Sequence, residues 1–230
     1  MKRSILYFSL CLLINCSFLA CSPFDDLVDE PTKQFLTTDE AELINLFAVL
    51  TGGDPSGCSI VRDIRDIPRT LCGIVEEARR GSEIVFLVDN TTSMFDDIDQ
   101  VKANINEIID CLPDGVRLGA ATYSDRNTDD PWFTFSDLSD NYDIGRDFIN
   151  AITLPETANA DLPESVYDGI YEVLEVMSWQ DCDAPDKIIV MGDAEPHTGT
   201  LTQYSAEDVL ARSQAICPDT EFYPVIILEL

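Results

Sequence analysis

The stretch Ile84-Val85-Phe86-Leu87-Val88-Asp89-Asn90-Thr91-Thr92-Ser93-Met94-Phe95-Asp96-Asp97 decides the fold. Its unbroken apolar run reads as a central parallel strand covered on both faces. The strand ends in Asp89. Two hydroxyls, Thr91 and Ser93, follow at alternate positions, and a helix opens on the acidic pair Asp96-Asp97. That order sets one carboxylate and two hydroxyls at the carboxyl end of a buried strand, where open α/β sheets bind their ligands.

Downstream, strands and helices alternate. Residues 96–112 carry Ile98, Val101, Ile105, Ile108 and Ile109 at helical spacing, and Pro113-Asp114-Gly115 turns the chain into a strand at 116–123. An edge strand is expected at 132–135, helices at 142–152, 164–177 and 205–215, and strands at 187–191 and 222–228. This alternation predicts an α/β fold: a doubly wound, mostly parallel sheet flanked by helices, ending at its fifth strand. Upstream, Thr37-Thr38-Asp39-Glu40 has the form of a capping box ahead of Leu43, Ile44, Phe47 and Leu50, and Gly52-Gly53 ends that helix. Residues 58–80 read as helical or irregular.

Composition narrows the function. A hydrophobic content of 45% supports a real core and excludes global disorder. A formal net charge of −29 repels phosphate backbones, which argues against nucleic acid, and attracts divalent cations. Asp125, Asp129 and Asp130 read as a solvated acidic rim. Lys2 and Arg3 precede an apolar stretch from Ile5 to Ala20 that is shorter than the ~20 residues of a membrane span. Phe18-Leu19-Ala20-Cys21 resembles a bacterial lipobox, which implies cleavage before Cys21 and lipidation of that residue. The expected layout is a signal peptide at 1–20, an acidic tether at 21–36, a helical extension at 37–82 and the α/β domain at 83–230. Beyond the leader an odd set of cysteines remains, Cys58, Cys72, Cys111, Cys182 and Cys217, so at least one stays unpaired. Cys58 and Cys72, close in sequence, are the expected disulfide. No Cys-x-x-Cys supports a zinc site, and the lone His197 reads as structural.

The Asp-x-Thr-x-Ser pattern of Asp89, Thr91 and Ser93 resembles the metal-ion-dependent adhesion site of von Willebrand factor type A domains, with Thr91 in the place of the first serine. Met191-Gly192-Asp193-Ala194-Glu195-Pro196-His197 follows another apolar strand and looks like the family's second contribution. Ala160-Asp161-Leu162-Pro163-Glu164 resembles the third loop of bacterial members. The resemblance covers about residues 83–230. It implies a hard cation, Mg²⁺ or alternatively Mn²⁺ or Ca²⁺, which prefers oxygen ligands. Thr91 and Ser93 would be direct ligands, and Asp89 and Asp193 would act through water or by orienting the hydroxyls. Asp161 stands where many members carry threonine; it also suits a helix N-cap, with Glu164 three residues on. Asp96 and Asp97 are similar to the acidic pair that binds a second cation in integrin beta-type domains, and equally suit a helix N-terminus.

The expected function is therefore that of a bacterial envelope lipoprotein, held by its lipid at the outer membrane or cell surface. It would bind a protein or other ligand that offers an acidic side chain to the cation. The alternative is a scaffold or assembly factor with a structural or silent metal site. A metal-dependent hydrolase is disfavoured, because no base stands beside a nucleophile and hydroxyl ligands suit hydrolysis poorly.

Overall fold

A strand buried along its whole length needs helices on both faces, and the chain supplies them. The computed structural model describes residues 38–154, 163–180, 182 and 184–228. Cys21, with the leader and tether, and Asp161 lie outside the described residues. Leu36–Leu230 make one compact unit. Its elements in order are α1 (Thr38–Ala48), β1 (Ser59–Val61), α2 (Ile67–Glu76), β2 (Glu83–Asp89), α3 (Ile98–Ile109), β3 (Arg117–Tyr123), β4 (Phe133–Ser139), α4 (Tyr142–Asn150), α5 (Val166–Val176), β5 (Lys187–Gly192), α6 (Ala206–Ile216) and β6 (Glu221–Ile227). Among the described residues no helix is long and apolar enough to cross a membrane.

The six strands run in the order β1-β6-β5-β2-β3-β4, all parallel neighbours except the antiparallel edge pair β3 and β4. β2 pairs with β3 on one side and β5 on the other, and all seven of its residues are buried. Its side chains alternate between two cores, as the two-residue period of a strand requires. Ile84, Phe86 and Val88 pack with Leu71 and Val75 of α2 and Val101, Ile105 and Ile108 of α3. Val85 and Leu87 pack with Phe47 of α1 and Ile170 and Val173 of α5. The doubly wound sheet expected from the sequence is the observed fold.

The chain between 37 and 80 does more than decorate this sheet. β1 adds a parallel strand to β6, with Ser59 opposite Val225 and Val61 opposite Ile227, and the Leu228 N–H donates to the Val61 carbonyl at 2.9 Å. α2 lies on the α3 face, while α1 lies on the other, where the Tyr167 hydroxyl donates to the Leu46 carbonyl at 2.7 Å. The upstream segment thus occupies the sheet edge beyond the fifth strand of the α/β run. A strand of three residues carries too little periodic signal to be read from sequence.

The expected Cys58–Cys72 disulfide is corrected. Cys72 pairs with Cys111, their Cα atoms 5.5 Å apart. β1 runs between Cys58 and Cys72 and sends them to opposite faces: Cys72 joins α2 against α3, whereas Cys58 is buried against α1. The Cys58 thiol donates to the Ile44 carbonyl at 3.9 Å, and burial pushes its pKa up to about 11.

Candidate metal centre

The sheet's strand order reverses at β2, because the chain moves from β2 to β3 on one side and returns to β5 on the other. Ligand crevices of open α/β sheets form at the carboxyl ends of strands at such a point. Asp89 ends β2 there, fully buried. Its Oδ1 accepts from the Thr91 N–H at 2.8 Å and from the Thr91 hydroxyl at 2.7 Å. Thr91 Oγ1 lies 2.8 Å from Ser93 Oγ, and the Ser93 hydroxyl donates to Asp193 Oδ1 at 2.9 Å. Asp193 stands just past β5. Four of the sequence-expected residues, Asp89, Thr91, Ser93 and Asp193, are therefore joined in one continuous chain of contacts. Thr91 is buried and Ser93 exposed, so the chain leads from the core to the surface.

Hydrogen accounting shows what this chain lacks. Each hydroxyl carries one proton. With both carboxylates ionised, the Thr91 proton goes to Asp89 and the Ser93 proton to Asp193, which leaves the hydroxyl–hydroxyl contact with none. The cluster is one positive charge short. Either a proton on a carboxyl or a cation among the oxygens would supply it. Burial, then the nearby Asp193 charge, raises the Asp89 pKa to about 7, against the hydrogen bonds from Thr91 and Tyr123.

Glu164 is a further buried acid beside this chain. It is 2% exposed, and its Oε2 is buried without a hydrogen-bond partner. Burial first, then the charges of Asp89, Asp125, Asp129 and Asp193, lifts its pKa to about 9. Its backbone is pinned, the N–H donating to the Glu195 carbonyl at 2.8 Å and the carbonyl accepting from the His197 N–H at 2.7 Å. An orphaned carboxylate oxygen among four acids is costly without a counter-charge. The donor set, carboxylates and hydroxyls without nitrogen or sulfur, suits a hard divalent cation, so the residues present fit one.

The scaffold around these groups is tight. A methyl group on Gly192 would meet Tyr123 Oη at 2.7 Å and Asp89 Oδ2 at 2.9 Å. Tyr123 is fully buried and its hydroxyl donates to Asp89 Oδ2 at 3.4 Å. Asp125 is not the solvated rim residue expected from sequence. It is 3% exposed, its Oδ1 accepting from the Asn127 N–H at 2.8 Å and its Oδ2 from the Thr128 hydroxyl at 3.0 Å. Buried Asp168 of α5 holds the loop after β5, accepting from the Thr202 hydroxyl at 2.8 Å and the Gln203 and Tyr204 N–H groups at 3.0 and 2.9 Å. His197 has the structural place expected of it, buried with Nδ1 3.2 Å from the Leu201 carbonyl.

Asp96 and Asp97 lie past a short 3₁₀ turn, Thr92–Asp96, that precedes α3. Asp96 is exposed, and Asp97 caps α3 without a side-chain hydrogen bond. Burial and the Asp96 charge raise the Asp97 pKa. Glu164 is the residue that sequence reading misplaced, as a helix-opening partner of Asp161. The signal for its burial was the apolar run that follows it, Val166, Tyr167, Ile170 and Val173, which seats this helix end in the core.

A family model described as the von Willebrand factor type A domain matches residues 83–217. No curated protein matches the chain. Solved structures similar to it include two of the pilus adhesin SpaC from Lactobacillus rhamnosus GG, one of them in an open conformation. Each is 14% identical with a TM-score of 0.42 and covers 51% of this chain. The matched region spans 16% and 15% of the adhesin's own length.

Proposed function

The chain belongs to the von Willebrand factor type A family, and from that premise we propose that it binds a partner protein through a divalent cation held by Asp89, Thr91, Ser93 and Asp193. The observation that carries this reading is the continuous chain of oxygens Asp89–Thr91–Ser93–Asp193 at the switch point of the sheet, beside the orphaned Glu164 oxygen. Thr91 and Ser93 would offer hydroxyl oxygens, Asp89 and Asp193 would orient them, and Asp161, which lies outside the described residues, would join them. Mg²⁺ suits this set, with Mn²⁺ or Ca²⁺ as substitutes. When bound, the cation supplies an open coordination position for an acidic side chain of the partner. Phe95, 76% exposed and two residues beyond Ser93, gives the same face an apolar contact for a protein surface.

The role is binding and not catalysis. The protein would work at the bacterial cell envelope, anchored by lipid on Cys21 at the outer membrane or surface. The leader and the lipobox-like residues before Cys21 support this placement. Loss of radiolabelled palmitate incorporation in Cys21→Ala checks it.

A second reading has its own support. A proton on Asp89 would donate to Thr91, Thr91 to Ser93 and Ser93 to Asp193, which completes the chain without metal. The site would then be silent and the protein an envelope scaffold. Calorimetric titration of Mg²⁺, Mn²⁺ and Ca²⁺ into the wild type, Asp89→Ala and Thr91→Ala separates the two. Saturable binding lost in both variants supports the cation site. Weak, salt-sensitive uptake shared by all three would overturn it in favour of the scaffold.

A further inference from the structure

A second cluster of reactive side chains lies at the other end of the sheet, where β2, β5 and β6 begin. Cys182 sits in the loop after α5, Asp186 immediately precedes β5, and Cys217 follows α6. One sulfur or carboxylate oxygen from each lies within 4.8 Å of the others. Cys182 is exposed, and its thiol donates to the Ile216 carbonyl at 3.1 Å, one residue before Cys217. Cys217 is 1% exposed, with its sulfur inside that 4.8 Å group beside Cys182 and Asp186. Asp186 is fixed in turn. Its Oδ1 accepts from the Glu83 N–H at 3.0 Å, and its carbonyl accepts from the Glu221 N–H at 2.8 Å.

We propose that Cys182 and Cys217 are a reactive dithiol that closes to a second disulfide by exchange with a disulfide-bearing oxidant, with Asp186 taking the Cys217 proton. The accessible Cys182 attacks first, as its thiolate, on a sulfur of the oxidant. A mixed disulfide forms and one thiolate leaves. Cys217 then attacks the Cys182 sulfur as its proton passes to Asp186, and the oxidant's second thiolate leaves. Two thiols are oxidised to one disulfide, the oxidant disulfide is reduced to two thiols, and Asp186 returns its proton to solvent. Burial holds the Cys217 thiol protonated, its pKa raised to about 12, so a neighbouring acceptor is what its attack requires. Among the described residues Cys72 and Cys111 are already joined and Cys58 is enclosed against α1, which leaves Cys182 and Cys217 as each other's partner there. Closure would tie the α5–β5 loop to the end of α6 across the starts of two adjacent strands. A soft cation is the rival occupant of the cluster, but Asp186 already gives one carboxylate oxygen, Oδ1, to the β2 backbone.

The test uses the full chain exported into an oxidising compartment and purified without reductant. The protein is denatured, alkylated with iodoacetamide, digested and weighed. The expected result is a Cys182 peptide joined to a Cys217 peptide, with Cys58 alkylated. Alkylation of both Cys182 and Cys217 would overturn the proposal, as would one zinc per chain retained through purification with both thiols unoxidised. For the role of Asp186, closure of the reduced protein by oxidised glutathione is followed against pH. Asp186→Asn, which keeps the Oδ1 acceptor for Glu83, should slow closure at least about tenfold at neutral pH and let the Cys182–glutathione mixed disulfide accumulate, because only the Cys217 step loses its proton acceptor. An unchanged rate and pH profile would remove Asp186 from the step.

Discussion

Replacing Glu164 by glutamine deletes one ionisable carboxyl from the acidic end of the sheet and keeps its shape. In the folded protein the pKa of Glu164 is raised from 4.5 to about 9, chiefly by burial and then by the charges of Asp89, Asp125, Asp129 and Asp193. The sign follows from proton binding. Between those two values the folded state holds a proton that the unfolded state has lost, so stability falls as pH rises. The contribution is intact below pH 4.5, erodes above it and is fully lost once pH passes the folded value. At pH 7 the wild type has lost 2.5 units' worth, about 3 kcal/mol at ~1.4 kcal/mol per unit. Glutamine never ionises. Metal-free Glu164→Gln should therefore match the wild type near pH 4.5 and exceed it at pH 7 by up to about 3 kcal/mol, roughly 6–12 °C in Tm for a domain of this size. Asp89 titrates in both proteins and cancels from the comparison. Thermal and urea denaturation in chelator at half-unit steps from pH 4.5 to 9 makes the measurement. Parallel curves for the two proteins would refute the argument that Glu164 is an uncompensated buried acid.

Three other substitutions probe the frame around the site. Gly192→Ala drives a methyl to 2.7 Å from Tyr123 Oη and 2.9 Å from Asp89 Oδ2; it should cost about 1–3 kcal/mol in urea unfolding and abolish calorimetric cation uptake. Asp168→Ala leaves the Gln203 and Tyr204 N–H groups without their acceptor, so amide exchange at both should accelerate at least about tenfold. Unchanged exchange would show that the Tyr171–Tyr204 ring stack, with centroids 3.6 Å apart, holds that loop instead. Cys111→Ser opens the 39-residue separation closed by the disulfide and should lower stability by about 4 kcal/mol, read as a fall in Tm under non-reducing conditions.

The sheet was legible because its central strands are apolar on both faces. Ile84–Val88 and Lys187–Met191 were each readable as buried strands, and the resemblance to type A domains set them side by side, as they are. Asp89, Thr91 and Ser93 were legible at the end of their strand, and the resemblance to type A domains added Asp193 to them. Three features were not. Ser59–Val61 becomes a strand only because β6 offers its edge, and no property of three residues announces that. Cys72 meets Cys111 because α2 and α3 share a face, whereas sequence distance favoured Cys58, which β1 directs to the opposite core. Glu164 looked like a helix-capping acid because its local pattern suits a first turn, and only the apolar run behind it hints that α5 is seated with its first turn against Tyr123, whose Cβ stands 2.9 Å from where a methyl on Gly169 would lie.

The pairing of Ser59–Val61 with Val225–Ile227 has a consequence for when the fold can exist. An early strand waits for a partner that the chain reaches only after β5 and α6, so that edge of the sheet cannot close before β6 has emerged. Until β6 is released, the inner faces of α1 and α2 lack the neighbour they cover, and the entropy of that long loop opposes premature docking. The arrival of β6, and no earlier event, locks the first strand in place.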